Sequence, residues 1–156
     1  MTKLKVDIIA ENLMAIHPLL YKSISKPLRT KSSITPGGMF VMESLKRRGM
    51  LSMSDIGKCL SMPKPHITVI VDKLIDEGYV VRQNDPKDRR IISISLTDKG
   101  LIDFEEIKET LSLTLKSKLV LLSGLQQEQL LTASQLLREI LISILTIDLE
   151  TSSQGK

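Results

Sequence analysis

Lys87, Arg89 and Arg90 fall within four consecutive positions of the stretch Arg82-Gln83-Asn84-Asp85-Pro86-Lys87-Asp88-Arg89-Arg90. Cations packed this closely repel one another unless acidic neighbours or an approaching anion offset them. Asp85 and Asp88 offset part of the charge, and an external anion is the natural candidate for the rest. A second group, Lys46-Arg47-Arg48, has a plainer reading as the solvated last turn of a helix, and phosphate contact is its functional alternative. Other chemistry is poorly supplied. No nucleophile with a base, paired carboxylates, phosphate loop or metal cluster stands out, so no catalytic residue and no cofactor is assigned. His17 and His66 lack the paired spacing of a metal site, and no metal is assigned. Cys59 is the only cysteine, which excludes an intramolecular disulfide; on a helix it is expected to pack rather than to sense oxidation.

The chain's 156 residues suit one domain, or one domain with an extension. Hydrophobic content of 42% with 26% charged residues is ordinary for a soluble globular protein and argues against a chain disordered throughout. The net charge of +4 is compatible with nucleic acid without demanding it, so the distribution of charge matters more than its total. Two Tyr, two Phe and no Trp are too few for a base-stacking platform, which favours duplex DNA over single strands or RNA. With no leader-like segment and no long apolar run, the chain is expected to be cytoplasmic and free of membrane.

The elements that must position the cations can be read in order. Leu4, Ile8, Ile9, Leu13, Ile16, Leu20 and Ile24 predict a first helix, with Pro18 interrupting or kinking it and Pro27 as its latest end. Thr35-Pro36 opens a second helix, although Gly37-Gly38 weakens its first turn; it carries Met39, Val41, Met42 and Leu45 and ends at Gly49. Met50-Leu51 is read as a brief strand. Ser52-Met53-Ser54-Asp55 is a loose capping box for a third helix that turns Ile56 and Leu60 inward. The segment from Ser61 to Pro65 ends that helix and opens a fourth, whose Ile67, Ile70, Val71, Leu74 and Ile75 form a clean amphipathic stripe up to Gly78.

Tyr79–Val81 and the alternating Ile92-Ser93-Ile94-Ser95-Leu96 then predict two strands around the charged tip. Helix, turn, amphipathic helix and basic hairpin, in that order, describe a winged helix-turn-helix. Thr97 or Asp98 caps a long helix reaching about Val120. Ser123-Gly124 breaks the pattern, and Leu125–Leu149 resumes it with more apolar surface than a lone surface helix would leave exposed. The fold class is therefore mainly α with a small β-hairpin wing. Its expected parts are an N-terminal dimerisation helix (1–34), a DNA-binding lobe (35–100), C-terminal dimerisation helices (101–150) and a flexible tail (151–156).

Asp88-Arg89-Arg90 followed by Leu96-Thr97-Asp98-Lys99-Gly100 resembles the wing signature of the MarR family of bacterial transcription regulators. Ile67-Thr68-Val69-Ile70-Val71-Asp72-Lys73-Leu74 is similar to that family's recognition helix, and Thr35-Pro36 stands where its second helix begins. The sequence departs from the family pattern at Pro63, Pro65, His66 and Val69. The resemblance implies a homodimer on a palindromic operator in double-stranded DNA. It also implies repression relieved by a small, often aromatic or anionic, effector that binds between the dimerisation helices and the DNA-binding lobe. Arg90 becomes the expected minor-groove residue, with the Asp88 carboxylate steering its guanidinium, while Lys87 and Arg89 flank phosphates.

A recognition helix enters the major groove with its N-terminal half, so Lys64, Pro65, His66, Thr68 and Val69 are the candidate readers. Lys64 and His66 suit guanine acceptors, Thr68 a base or a phosphate, Val69 a thymine methyl, and Lys73 a phosphate. The rival reading is a helical dimeric interaction protein that has lost DNA binding, for which Pro63 and Val69 are the supporting departures.

Overall fold

The computed structural model describes the backbone of residues 2–31, 33–86 and 88–153, and the side chains of residues 4–23, 33–86 and 88–145. The element order is α1 (Thr2–Lys31), α2 (Pro36–Arg48), β1 (Leu51–Ser52), α3 (Met53–Leu60), α4 (Lys64–Asp76), β2 (Val80–Asn84), β3 (Ile92–Leu96), α5 (Asp98–Leu119) and α6 (Gly124–Ser153). This is the winged helix expected from the sequence. The chain divides into two compact units, Met1–Thr114 and Leu115–Lys156.

Local chemistry starts the helices of the first unit. The N–H of Gly38 donates to Thr35 Oγ1 at 3.1 Å, with Pro36 in the first turn, so α2 begins as a capped helix. Gly37 is spaced for a neighbour: a Cβ there would lie 2.8 Å from Ile70 Cδ1 of α4. The glycine pair that costs α2 helix propensity thus admits α4 to close packing. At α3 the capping box forms, with Asp55 N–H donating to Ser52 Oγ at 3.1 Å and the Ser52 hydroxyl donating to Asp55 Oδ2 at 2.6 Å. Pro63 occupies the N-cap of α4 without a side-chain bond to the helix.

Val41, Met42 and Leu45 of α2, Ile56 of α3, and Ile67, Val71 and Leu74 of α4 bury their apolar stripes with Ile34, Tyr79, Val80, Ile94 and Phe104. The sheet is antiparallel in the order β1-β3-β2. Ile94 of the central strand faces Leu51 on one side and Arg82 on the other. Burial along β3 departs from simple alternation. Ile92 is exposed because it lies beyond the core at the hairpin tip, whereas the small Ser93 is buried between Ser52 and Gln83.

The first helix corrects the sequence expectation. Pro18 does not interrupt α1 and Pro27 does not end it; the helix continues to Lys31. Each proline deletes one N–H···O bond, and the bonds of adjacent turns carry the helix across the gap. The last helix likewise runs to Ser153, past the expected start of the tail, and residues 154–156 lie outside the described residues.

Thr97 and Gly100 join the hairpin to the helices. Thr97 is the cap of α5: its Oγ1 accepts from the N–H of Gly100 at 2.9 Å and donates to the carbonyl of Gly78 at 2.7 Å. Its own N–H donates to the Tyr79 carbonyl at 3.0 Å. A Cβ at Gly100 would sit 2.0 Å from that carbonyl oxygen, so no other residue fits without moving backbone. A second tie holds α2 to α5. Lys46 pairs with Glu105, Lys108 pairs with Glu43 at 3.4 Å, and the buried Phe104 ring has the two ammonium groups 5.8 and 5.6 Å from its centroid. The hydrogen bond from Lys46 holds the Glu105 carboxyl below its ordinary value.

In the second unit, Ser123 and Gln126 form a reciprocal cap, with Gln126 N–H donating to Ser123 Oγ and Ser123 N–H donating to Gln126 Oε1. Gln127 Nε2 donates to the carbonyls of Leu119 and Leu122, satisfying the end of α5. Leu130, Leu136, Ile140, Leu141, Ile144 and Leu145 of α6 remain exposed. Within the first unit, α1 similarly exposes Leu4, Ile8, Ile9, Ile16 and Leu20. Among the described residues no helix is long and apolar enough to cross a membrane.

Two outcomes follow for stability. Gly100→Ala should destabilise the fold by about 2–3 kcal/mol, the upper range for forced overpacking, and Thr97→Ala by about 1 kcal/mol through loss of the cap; urea midpoints measure both. The second concerns acid. A carboxyl whose folded value is depressed stabilises the fold above its unfolded value, near 4.3, and loses that contribution as pH falls through the folded value. The stability gap between the native chain and Glu105→Gln should therefore be present at pH 7 and close on acidification, as read by denaturation at a series of pH values.

Candidate nucleic-acid interface

The outward face of α4 follows from its inward one. With Ile67, Val71 and Leu74 in the core, Lys64, Pro65 and His66 are exposed at the helix entrance, and Val69 stands opposite the buried stripe at 71% exposure. Thr68 is half-buried, and its hydroxyl donates to the Lys64 carbonyl at 3.0 Å, leaving its oxygen lone pairs to accept. Lys73 turns towards the body of the lobe. Its ammonium donates to the Ser33 carbonyl at 2.9 Å and lies 4.0 Å from Glu77 Oε1. An open groove of about 400 Å³ runs beside the entrance, lined by Ser54, Lys58, Ser61, Lys64 and the two methionines Met53 and Met62.

The tip between β2 and β3 is shaped by its two acids. Asp85 N–H donates to the Ile91 carbonyl at 2.9 Å and closes the loop, while Asp85 Oδ1 accepts from the N–H of Asp88 at 3.3 Å. Asp88 Oδ1 accepts from the backbone N–H of Arg90 at 3.0 Å, and the Asp88 carbonyl accepts from Ile91 N–H at 2.9 Å. Asp88 thus organises the backbone under Arg90, and among the described residues neither Arg89 nor Arg90 makes an ion pair. A carboxylate two residues before an N–H is the usual geometry of an Asx turn, which competes well with a flexible side-chain pairing. Arg89 and Arg90 are both exposed, so their guanidinium groups are available to an external anion. Lys87 lies outside the described residues.

Two further features are not evident in the sequence. Arg82 of β2 pairs with Asp72 of α4 at 2.5 Å, linking the helix to the hairpin. Both side chains are about half exposed, a setting in which such a pair contributes roughly 0.2–1 kcal/mol to stability. The basic trio also separates: Lys46 is committed to Glu105, while Arg47 and Arg48 point to solvent at the end of α2. Spacing alone could not have distinguished these, since only packing brings Glu105 beside Lys46. Among the described residues, no group of three or more His, Cys, Asp or Glu side chains could hold a metal ion.

The family model for MarR matches residues 34–92, from the residue before Thr35 to the first residue of β3. The chain is also 32% identical over 125 residues to YkoM, an uncharacterized HTH-type transcriptional regulator of Bacillus subtilis (strain 168), with 78% of this chain and 81% of that one covered. The chain belongs to the MarR family. This MarR-family chain is 39% identical over 77 residues to the HTH-type transcriptional repressor MdtR of the same organism. That match covers 49% of this chain and spans half, 50%, of MdtR. The crystal structure of the YusO protein from Bacillus subtilis has a TM-score of 0.61 and 28% identity, covering 90% of this chain and 93% of that one.

Proposed function

We propose that this MarR-family chain is a cytoplasmic, sequence-specific transcriptional regulator that binds double-stranded DNA as a homodimer. The observation that carries this reading is the division of surfaces on one lobe. The N-terminal half of α4 is turned outward, and the adjacent hairpin presents Arg89 and Arg90 without ion pairs among the described residues. An α-helix fits the major groove and a charged hairpin can reach the neighbouring minor groove. In this reading Lys64 and His66 donate to guanine acceptors, Thr68 accepts from a base, and Pro65 and Val69 pack on thymine methyls. Arg90 enters the minor groove, Lys87 and Arg89 hold flanking phosphates, and Lys73 adds positive potential behind them.

The apolar faces of α1 and α6 supply the second half of the reading. Exposed apolar surface on this scale marks an interaction surface, and a second copy would cover it while matching a palindromic operator. Repression released by a small aromatic or anionic effector completes the proposal. MdtR supports the sign of regulation by its designation as a repressor. The rival reading, a dimeric interaction protein without DNA binding, is the outcome if no duplex is selected.

Selection of duplexes from a random library by the full-length chain should yield a palindromic site. Lys87→Ala with Arg89→Ala should weaken binding to it and reduce the salt slope by about two, near 0.9 per released phosphate contact; a slope unchanged across salt concentrations would remove both from the phosphate contacts. Lys64→Ala should cost about 1–3 kcal/mol at one base position. In solution at micromolar concentration the mass should be that of a dimer, with Leu141→Glu plus Ile144→Glu shifting it towards the monomer, as light scattering after size exclusion would read.

A further inference from the structure

We propose that Asp72 and Arg82 are a positioning pair that sets α4 and the hairpin at the spacing needed to occupy two neighbouring grooves together; this rests on the DNA-binding reading above. Asp72 is an acid on the helix that enters the groove in that reading, where a bare carboxylate would repel phosphate. Its Oδ1 instead meets Arg82 Nη2 at 2.5 Å. Arg82 reaches it from a defined place. In the hairpin register it lies opposite the buried Ile94 and two residues beyond the buried Val80, on a strand that is otherwise exposed, so its backbone position is fixed by those two core residues.

The pair therefore joins two elements that otherwise meet through apolar packing, which resists separation but tolerates sliding. A planar guanidinium on a carboxylate adds direction. Both groups are about half exposed, so neither is required to satisfy a buried charge. The contact also withdraws Arg82 from the set of cations free to bind phosphate, leaving Arg89 and Arg90 at the tip for that work.

Simple electrostatics and positioning predict opposite signs for one substitution. Asp72→Asn removes a negative charge from a DNA-facing surface, so a purely electrostatic role gives unchanged or tighter binding. Positioning gives weaker binding. The full-length chain, Asp72→Asn, Arg82→Gln and the double variant would be titrated with the duplex selected by the native protein, across a salt series. Each single variant should bind about tenfold more weakly with a melting temperature close to native, and the double variant no more weakly than the worse single one, as expected of coupled residues. In Asp72→Asn the salt slope should stay native. Dimethyl sulfate protection of major-groove guanines should persist while hydroxyl-radical protection under the hairpin fades.

Native or tighter binding by Asp72→Asn overturns the proposal. So does additive loss in the double variant, or a fall of about one in the slope for Arg82→Gln alone, which would make Arg82 a direct phosphate contact. If the native chain selects no duplex, the DNA-binding reading fails and this one with it; if the native chain binds and Asp72→Asn is unaffected, only the positioning role fails.

Discussion

The close approach of Gly100 to the Tyr79 carbonyl is the constraint on which the lobe depends. At that point the end of the α4 turn, the start of β2, the end of β3 and the first turn of α5 meet around one hydroxyl, that of Thr97. Thr97 caps α5 and bonds the Gly78 carbonyl at once, and the missing Cβ of Gly100 lets the backbones touch. Helix α4 and the hairpin are therefore not separate attachments to a core. They are fastened together at the hairpin's base by these contacts. The Asp72–Arg82 contact lies beyond that anchor, where a weak interaction has leverage over orientation that it lacks over stability.

The cations of the chain sort into two classes by what packing places beside them. Lys46, Lys73, Arg82, Lys99 and Lys108 are engaged with carboxylates, carbonyls or aromatic rings of the lobe itself. Lys64, Arg89 and Arg90, on α4 and the hairpin tip, are exposed without an internal ion pair among the described residues, as are Arg47 and Arg48 at the end of α2. Three of these cations stand on α4 and the hairpin tip, where they add to the positive potential that would meet a polyanion. The apolar residues sort in a parallel way. Stripes on α2, α3 and α4 are consumed by the core, whereas those on α1 and α6 are left outward.

Much of this was legible in the sequence. The caps at Thr35, Ser52 and Thr97, the stripe of α4, the hairpin and the break at Ser123-Gly124 are local or periodic signals, written in the residues that make the contacts. The same holds for which side of α4 faces outward, since a helix with one apolar stripe has only one way to bury it. The glycine at position 100 is visible as a motif, but its reason, a carbonyl 2.0 Å from an absent Cβ, is a contact across the fold.

Only the tertiary structure decided the pairings. Lys46 with Glu105, Lys108 with Glu43 and Asp72 with Arg82 join residues whose separation in sequence carries no signal, because surface charges are abundant and any of several partners is within reach. The continuity of α1 through Pro18 and Pro27 is a separate case: the prolines oppose it locally, and the intrahelical bonds of the surrounding turns override them. The role of Asp88 belongs with the pairings, since its carboxylate could have met a guanidinium or a backbone N–H. The turn's geometry chose the backbone. Sequence by itself determines the elements and their faces, because those depend on neighbours along the chain; which charges are spent within the protein and which remain outward depends on neighbours in space.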